Sequence, residues 1–269
     1  MKKILLPTDF SENAQKAIDY AVFLFKNKEC TFYILNAFVI LPSAENGKSQ
    51  SEEKLSQTVQ KLNAEKTNPK HYFEQILIAN SPLNAINVTV IDKGIELVFM
   101  GTKGATGLSG IFMGSTTSSV IKHIEFCPIM AVPALYNYGV PEEIIFANDY
   151  KKEVRPQEIE PLITIAKLWQ SKLGIVHITA EEELTDTQKV NKELLRNSLK
   201  GVAHLFVKVT MDDSLSSTIQ RLEKEDKNIG MVAMLKNKHG FIERLVREPV
   251  IRNVTFTTEV PFLVLPTIE

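Results

Sequence analysis

The chain repeats itself, and that repeat limits the possible folds more than any other feature. Glu143–Tyr150 (EIIFANDY) echoes Lys3–Phe10 (KILLPTDF), each an apolar run followed by a polar residue and an aspartate. His204-Leu205-Phe206 echoes His71-Tyr72-Phe73, and Ser214 falls where Ser81 falls. Met231–Met234 (MVAM) echoes Leu97–Met100 (LVFM), and Val260–Pro266 echoes Cys127–Pro133. Self-similarity over half a chain means a duplicated domain rather than a stack of short repeats. The 269 residues divide into domains at 1–136 and 142–269, joined by Ala134–Glu142 with Asn137, Gly139 and Pro141. Domains of that size bury roughly two thirds of their unfolded surface, enough to stand on their own cores.

Inside the first half, short apolar runs alternate with helical spacing. Lys3–Pro7, Thr31–Phe38, His71–Ile78, Leu97–Met100 and Pro128–Val132 read as strands. Ser11 can cap a helix whose apolar face is Ala14, Ala17, Ile18, Ala21, Val22 and Phe25. The polar stretch Pro42–Ser51 reads as a loop, and Leu55, Val59 and Leu62 stripe a helix ending near Asn68-Pro69. Ser81-Pro82 opens another helix that runs through Asp92 and stops at Gly94, and a last one ends near His123. Alternation of this kind predicts an α/β fold. Each half should be a five-stranded, mostly parallel, Rossmann-like sheet with right-handed crossovers and helices on both faces. Ligands in such sheets bind beyond the carboxyl ends of the strands, where the strand order reverses. Pro7, Thr8 and Asp9 close the first strand, Ala37 the second and Met100 the fourth, so three pieces of sequence should meet in one crevice.

Leu97–Thr116 (LVFMGTKGATGLSGIFMGST) is where chemistry should sit. An apolar strand stops at Gly101, Gly104, Gly107 and Gly110 follow, and Gly114, Ser115 and Thr116 open a helix. Glycines let backbone N–H groups crowd onto an anion, and a helix N-terminus adds its positive dipole end. Ser115 and Thr116 can donate hydroxyls, and Lys103 can neutralise charge. Hydroxyls at a helix start also serve as plain caps, and Asp9 after a strand can cap a helix too. The loop has neither the GxxxxGK[ST] of a P-loop nor the GxGxxG of a dinucleotide fold.

The spacing Gly101-x2-Gly104-x9-Gly114-Ser115 resembles the signature of the ATP-binding branch of the universal stress proteins, whose domains are adenine nucleotide α-hydrolase-like, and the resemblance covers both halves. It implies that ATP, with Mg2+ carried on its phosphates, binds the first half. Asp9 would then accept from ribose hydroxyls or the adenine edge, backbone near Ala37 would contact adenine, and Met100 would pack beside base or ribose. Gly101, Gly104, Gly114, Ser115 and Thr116 would donate to phosphates. The second half departs from the pattern: Leu235-Lys236-Asn237-Lys238-His239-Gly240 replaces the glycine loop, and Arg247-Glu248-Pro249 stands near the Gly114-Ser115 position. One glycine of the set remains and Asp149 keeps the first-strand acid, but the cradle is lost, so that half should not hold ATP in the family manner.

Net charge of −1 gives no general pull toward nucleic acid or membrane phosphates. MKKILLPTDF is too short in apolar residues for a signal peptide, and no stretch of about 20 apolar residues occurs, so the cytoplasm is expected. Cys30 and Cys127 show no metal spacing and read as small hydrophobes. His71, His177 and His204 fall in apolar runs as core or edge residues, and no catalytic base or metal ligand set is expected. Three functions follow: a nucleotide-binding regulatory or stress-response module, a slow ATPase or adenylating enzyme, or a scaffold with a relic site. The last strand of each half, Pro128–Pro133 and Pro261–Pro266, should pair the halves as an intramolecular pseudo-dimer, with a homodimer as the family analogue.

Overall fold

Ile4, Leu5 and Leu6 are fully buried in β1 (Lys2–Pro7), as a strand covered on both faces requires. The computed structural model describes residues 1–39, 47–104, 111–112, 114–179, 183–236 and 258–268. Two compact units divide the chain: Met1–Lys103 with Gly114–Ala134, and Leu135–Glu269 with Gly104–Met113.

In the first unit β1 is followed by α1 (Glu12–Leu24), β2 (Cys30–Phe38), α2 (Gly47–Glu65), β3 (His71–Ala79), α3 (Pro82–Lys93) and β4 (Leu97–Gly101). The two-residue strands β5 (Lys103–Gly104) and β6 (Ile111–Phe112) pair with each other. Then come α4 (Ser115–His123) and β7 (Ile129–Val132). The five longer strands pair in parallel, in the order β7-β4-β1-β2-β3. The chain starts mid-sheet, runs outward to β3, then returns to β4 on the other side of β1. That reversal is the expected switch point.

Local sequence explains the helix ends. Ser11 Oγ accepts from Ala14 N at 3.3 Å, and Ser81 Oγ from Asn84 N at 3.4 Å with Pro82 in the first turn. Gly94 ends α3 in the left-handed conformation at φ 62°. Residues 47–51, expected as loop, belong to α2 instead. Only Leu55 and Leu62 of that helix are buried, so its first turns carry no apolar stripe to read. Tyr20 and Phe25 meet Phe99 edge-on at 6.1 and 6.3 Å and bind α1 and its C-cap to β4.

The second unit repeats the plan with β8 (Glu143–Ala147), α5 (Pro156–Trp169), β9 (Lys172–Thr179), α6 (Asp186–Ser198), β10 (His204–Thr210), α7 (Leu215–Glu225), β11 (Ile229–Leu235) and β12 (Phe262–Leu265). Its order, β12-β11-β8-β9-β10, is also all parallel and matches the first sheet strand for strand. Buried Glu158 accepts from Arg155 N and Ile268 N, both at 2.8 Å, and ties the segment after β12 to the start of α5. Both cysteines are free and buried, and burial pushes each thiol up to about 12, so neither is a reactive thiolate. Among the described residues no helix is long and apolar enough to cross a membrane.

His71 is fully buried, its Nε2 donating to the Phe25 carbonyl at 3.2 Å and its ring edge-on to Phe32 at 5.0 Å. Burial lowers its pKa below the ordinary 6.5; nearby Lys66 adds to that, while bonds to the Phe25 and Lys28 carbonyls oppose it. The unfolded chain therefore binds this proton more readily than the folded one. The stabilisation from neutral His71 is present above pH 6.5 and is lost as pH falls below it. Melting temperature should drop between about pH 8 and pH 5, and the drop should be smaller in His71→Phe. Equal pH profiles for the two proteins would contradict this assignment.

Candidate functional site

Beyond the carboxyl ends of β1, β2 and β4 lies a cleft of about 240 Å3 whose described lining residues belong to the first unit. β1 and its exit contribute Pro7, Thr8 and Asp9, β2 contributes Leu35 and Ala37, and β4 contributes Met100 and Gly101. The start of α1 adds Ser11, Asn13 and Ala14, α3 adds Pro82 and Ile86, and Gly114–Thr117 close the far end. Most residues named from sequence thus meet in one place. Lys103 and Gly104 form the short strand β5. Gly107 and Gly110 lie outside the described residues, as do Lys238, His239, Arg247 and Glu248 of the second half.

One end of the cleft is apolar. Leu35, Ile86 and Met100 are almost fully buried and leave a slot beside Ala37. Leu35, Pro82 and Ile86 escaped the sequence reading. The first was legible, because it stands two residues from Ala37 and so shares its face.

The other end is polar. Gly114 is the N-cap of α4, and among the described residues no side chain caps that helix; Ser115 and Thr116 are exposed. Thr117 instead donates its Oγ1 to the Gly101 carbonyl at 2.9 Å. An uncapped first turn presents unpaired N–H groups and the positive end of the helix dipole.

Asp9 has a definite local role. It is exposed, and its Oδ1 accepts from Ser11 N at 3.0 Å while Thr8 Oγ1 accepts from Phe10 N at 2.9 Å. The cap of α1 is Ser11, not Asp9. Phe10 is forced to φ 63°, a left-handed conformation that a bulky side chain rarely adopts. The second unit builds the same turn: Asn148 Oδ1 accepts from Tyr150 N at 2.7 Å, Asp149 Oδ1 from Lys151 N at 3.1 Å, and Tyr150 has φ 55°. A clamp on this turn is also repeated. Asn36 Nδ2 donates to the Thr8 carbonyl at 2.7 Å, and His177 Nδ1, at the equivalent register position, donates to the Asn148 carbonyl at 3.0 Å.

Gly101 is the last residue of β4 rather than the first of a loop. A Cβ there would lie 2.3 Å from the Asn13 carbonyl oxygen, so glycine is what lets the first turn of α1 cross the strand end. In the second unit Leu235 stands at the Gly101 position and Ile178 at the Ala37 position, 5% and 2% exposed. Both side chains are packed inside; the first unit instead has the cleft beside Ala37 and the Asn13 carbonyl over Gly101.

His123 is exposed at the end of α4 with Nδ1 2.8 Å from the Ser119 carbonyl, away from the cleft. His204 bonds the Val202 carbonyl at 2.8 Å. Among the described residues no three His, Cys, Asp or Glu side chains are placed to hold a metal ion.

The chain is similar to known proteins. A universal stress protein of Methanocaldococcus jannaschii is 32% identical over 143 residues, which are 49% of this chain and 81% of that protein. A second from the same archaeon is 29% identical over 144 residues, 45% of this chain and 88% of that protein. The crystal structure of a universal stress protein from Archaeoglobus fulgidus superposes on 98% of this chain and 98% of its own with TM-score 0.75 at 18% identity, a likeness of fold across both units. The sequence model of the universal stress protein family matches residues 1–133. Sequence in the first half and architecture throughout agree, and the chain belongs to the universal stress protein family.

Proposed function

We propose that the first unit binds an adenine nucleotide, ATP foremost, and that occupancy rather than turnover is the output of this stress-response module. One observation carries the reading: an apolar slot and an uncapped helix N-terminus open into the same cleft. The slot by Leu35, Ala37, Ile86 and Met100 suits a purine, and Asp9 offers a carboxylate to ribose hydroxyls. Amides of Gly114, Ser115 and Thr116, joined by Gly104 and Lys103, suit phosphates. Asp9 is the one carboxylate among the described lining residues, so Mg2+ would arrive on the phosphates.

Phosphoryl transfer needs an oriented nucleophile and a group to orient it. Among the described residues that line the cleft there is no histidine or lysine and no second acid. Hydrolysis of ATP should therefore run below the ~1–10³ s⁻¹ of ordinary enzymes. Nucleotide carried through purification and found by mass spectrometry, with turnover below that band, supports the reading. A rate inside the band that Asp9→Ala or Ser115→Ala abolishes would replace it with the enzyme reading. Absence of both binding and turnover would leave a scaffold.

The same reading treats the two halves as an intramolecular pseudo-dimer joined through their last strands, with a homodimer as a further step. β7 and β12 are the terminal strands of their own sheets. A bare sheet edge exposes N–H and C=O groups and invites another strand. Residues 1–137 expressed alone should dimerise or aggregate; a stable monomer at micromolar concentration would end this part of the proposal.

A further inference from the structure

Gly101 is held on two sides. It pairs with Val132 in the sheet, and the Asn13 carbonyl of α1 sits so close above it that no Cβ fits. Its own carbonyl accepts from Thr117 Oγ1, at the third position of α4, and Thr117 is only 3% exposed. The bond therefore ties a rigid strand end to the first turn of a helix that has no side-chain cap. The amides of that turn are the ones expected to meet an anion.

We infer that Thr117 is a positioning residue whose hydroxyl sets the anion-binding amides of α4 at the distance from the apolar slot that a phosphate-bearing nucleoside spans. The inference rests on the reading of the cleft given above. Hydrogen bonds to phosphate weaken steeply once donor distance or angle drifts, so a first turn free to shift loses phosphate affinity. The slot is built by β2, α3 and β4 side chains and does not depend on this bond. Removal of the hydroxyl should then separate phosphate recognition from base recognition. A merely structural role would weaken both alike.

The experiment is calorimetric titration of the full chain with ATP and, separately, with adenosine, for the wild type, Thr117→Val and Thr117→Ser, with melting curves for each. The expected result is an ATP affinity at least about tenfold weaker in Thr117→Val, an adenosine affinity within about twofold of wild type, and wild-type ATP affinity in Thr117→Ser. Unchanged ATP affinity in Thr117→Val overturns the inference and leaves the nucleotide site standing. So does an equal loss for both ligands. If Thr117→Val does not fold, Thr117→Ser decides: wild-type ATP affinity supports the hydroxyl's role, and a tenfold loss in a folded Thr117→Ser overturns it. A wild type that binds neither ligand removes the site and the inference together.

Discussion

Gly101→Ala should lower the stability of the first unit by about 3 kcal/mol and its melting temperature by about 10 °C. The added methyl would lie 2.3 Å from the Asn13 carbonyl oxygen and 2.6 Å from its carbon, both backbone atoms that no rotamer change can move. Either the first turn of α1 lifts off the end of β4 or the strand end shifts away from Val132. Both movements also disturb the carbonyl that Thr117 grips. A melting temperature within about 2 °C of wild type would show that the strand end is slack and the close approach unimportant.

Gly114→Leu should behave in the opposite way, with a stable fold and a lost ligand. Gly114 has φ −56° and ψ 153°, a conformation open to any residue, and as an N-cap it makes no side-chain bond. The fold should change by about 1 kcal/mol or less. A leucine at the polar end of the cleft would stand between the phosphates and the amides of Ser115 and Thr116. Phosphate charge stripped of those partners costs at least about 3 kcal/mol, so ATP affinity should fall about 100-fold or more. Calorimetry showing wild-type affinity in a folded Gly114→Leu would mean that phosphates do not approach α4.

Much of this was legible because the relevant signals are local. Buried parallel strands write themselves as apolar runs, and Ile4–Leu6 and Val98–Met100 are buried as their runs require. Ser11, Ser81 and Gly94 act at the helix ends where their own chemistry puts them. The cleft residues at Asp9, Ala37, Met100 and Gly114 followed from strand ends plus one glycine spacing.

What stayed hidden depends on partners far away in the chain. Gly101 reads as a loop glycine until the Asn13 carbonyl is seen above it. Thr117 reads as one more helical hydroxyl until its bond to Gly101 appears. No aromatic residue announces a left-handed backbone, yet Phe10 and Tyr150 both adopt one where side-chain acceptors on the two preceding residues hold the turn. Asn36 and His177 share no side-chain chemistry class that sequence comparison would pair, but each grips the carbonyl after the first strand of its unit. The polar first turns of α2 carry no apolar residues, so periodicity could not mark them.

The sealed positions Ile178 and Leu235 and the open cleft beside Ala37 and Gly101 lead to one central claim, a single nucleotide site per chain, in the first unit. The direct measurement is calorimetric titration of the full-length chain with ATP, beside the same titration of Gly114→Leu. The account predicts one site per chain in the wild type and none of comparable affinity in the variant. Two equivalent sites per chain, or a site that survives Gly114→Leu unchanged, would contradict it.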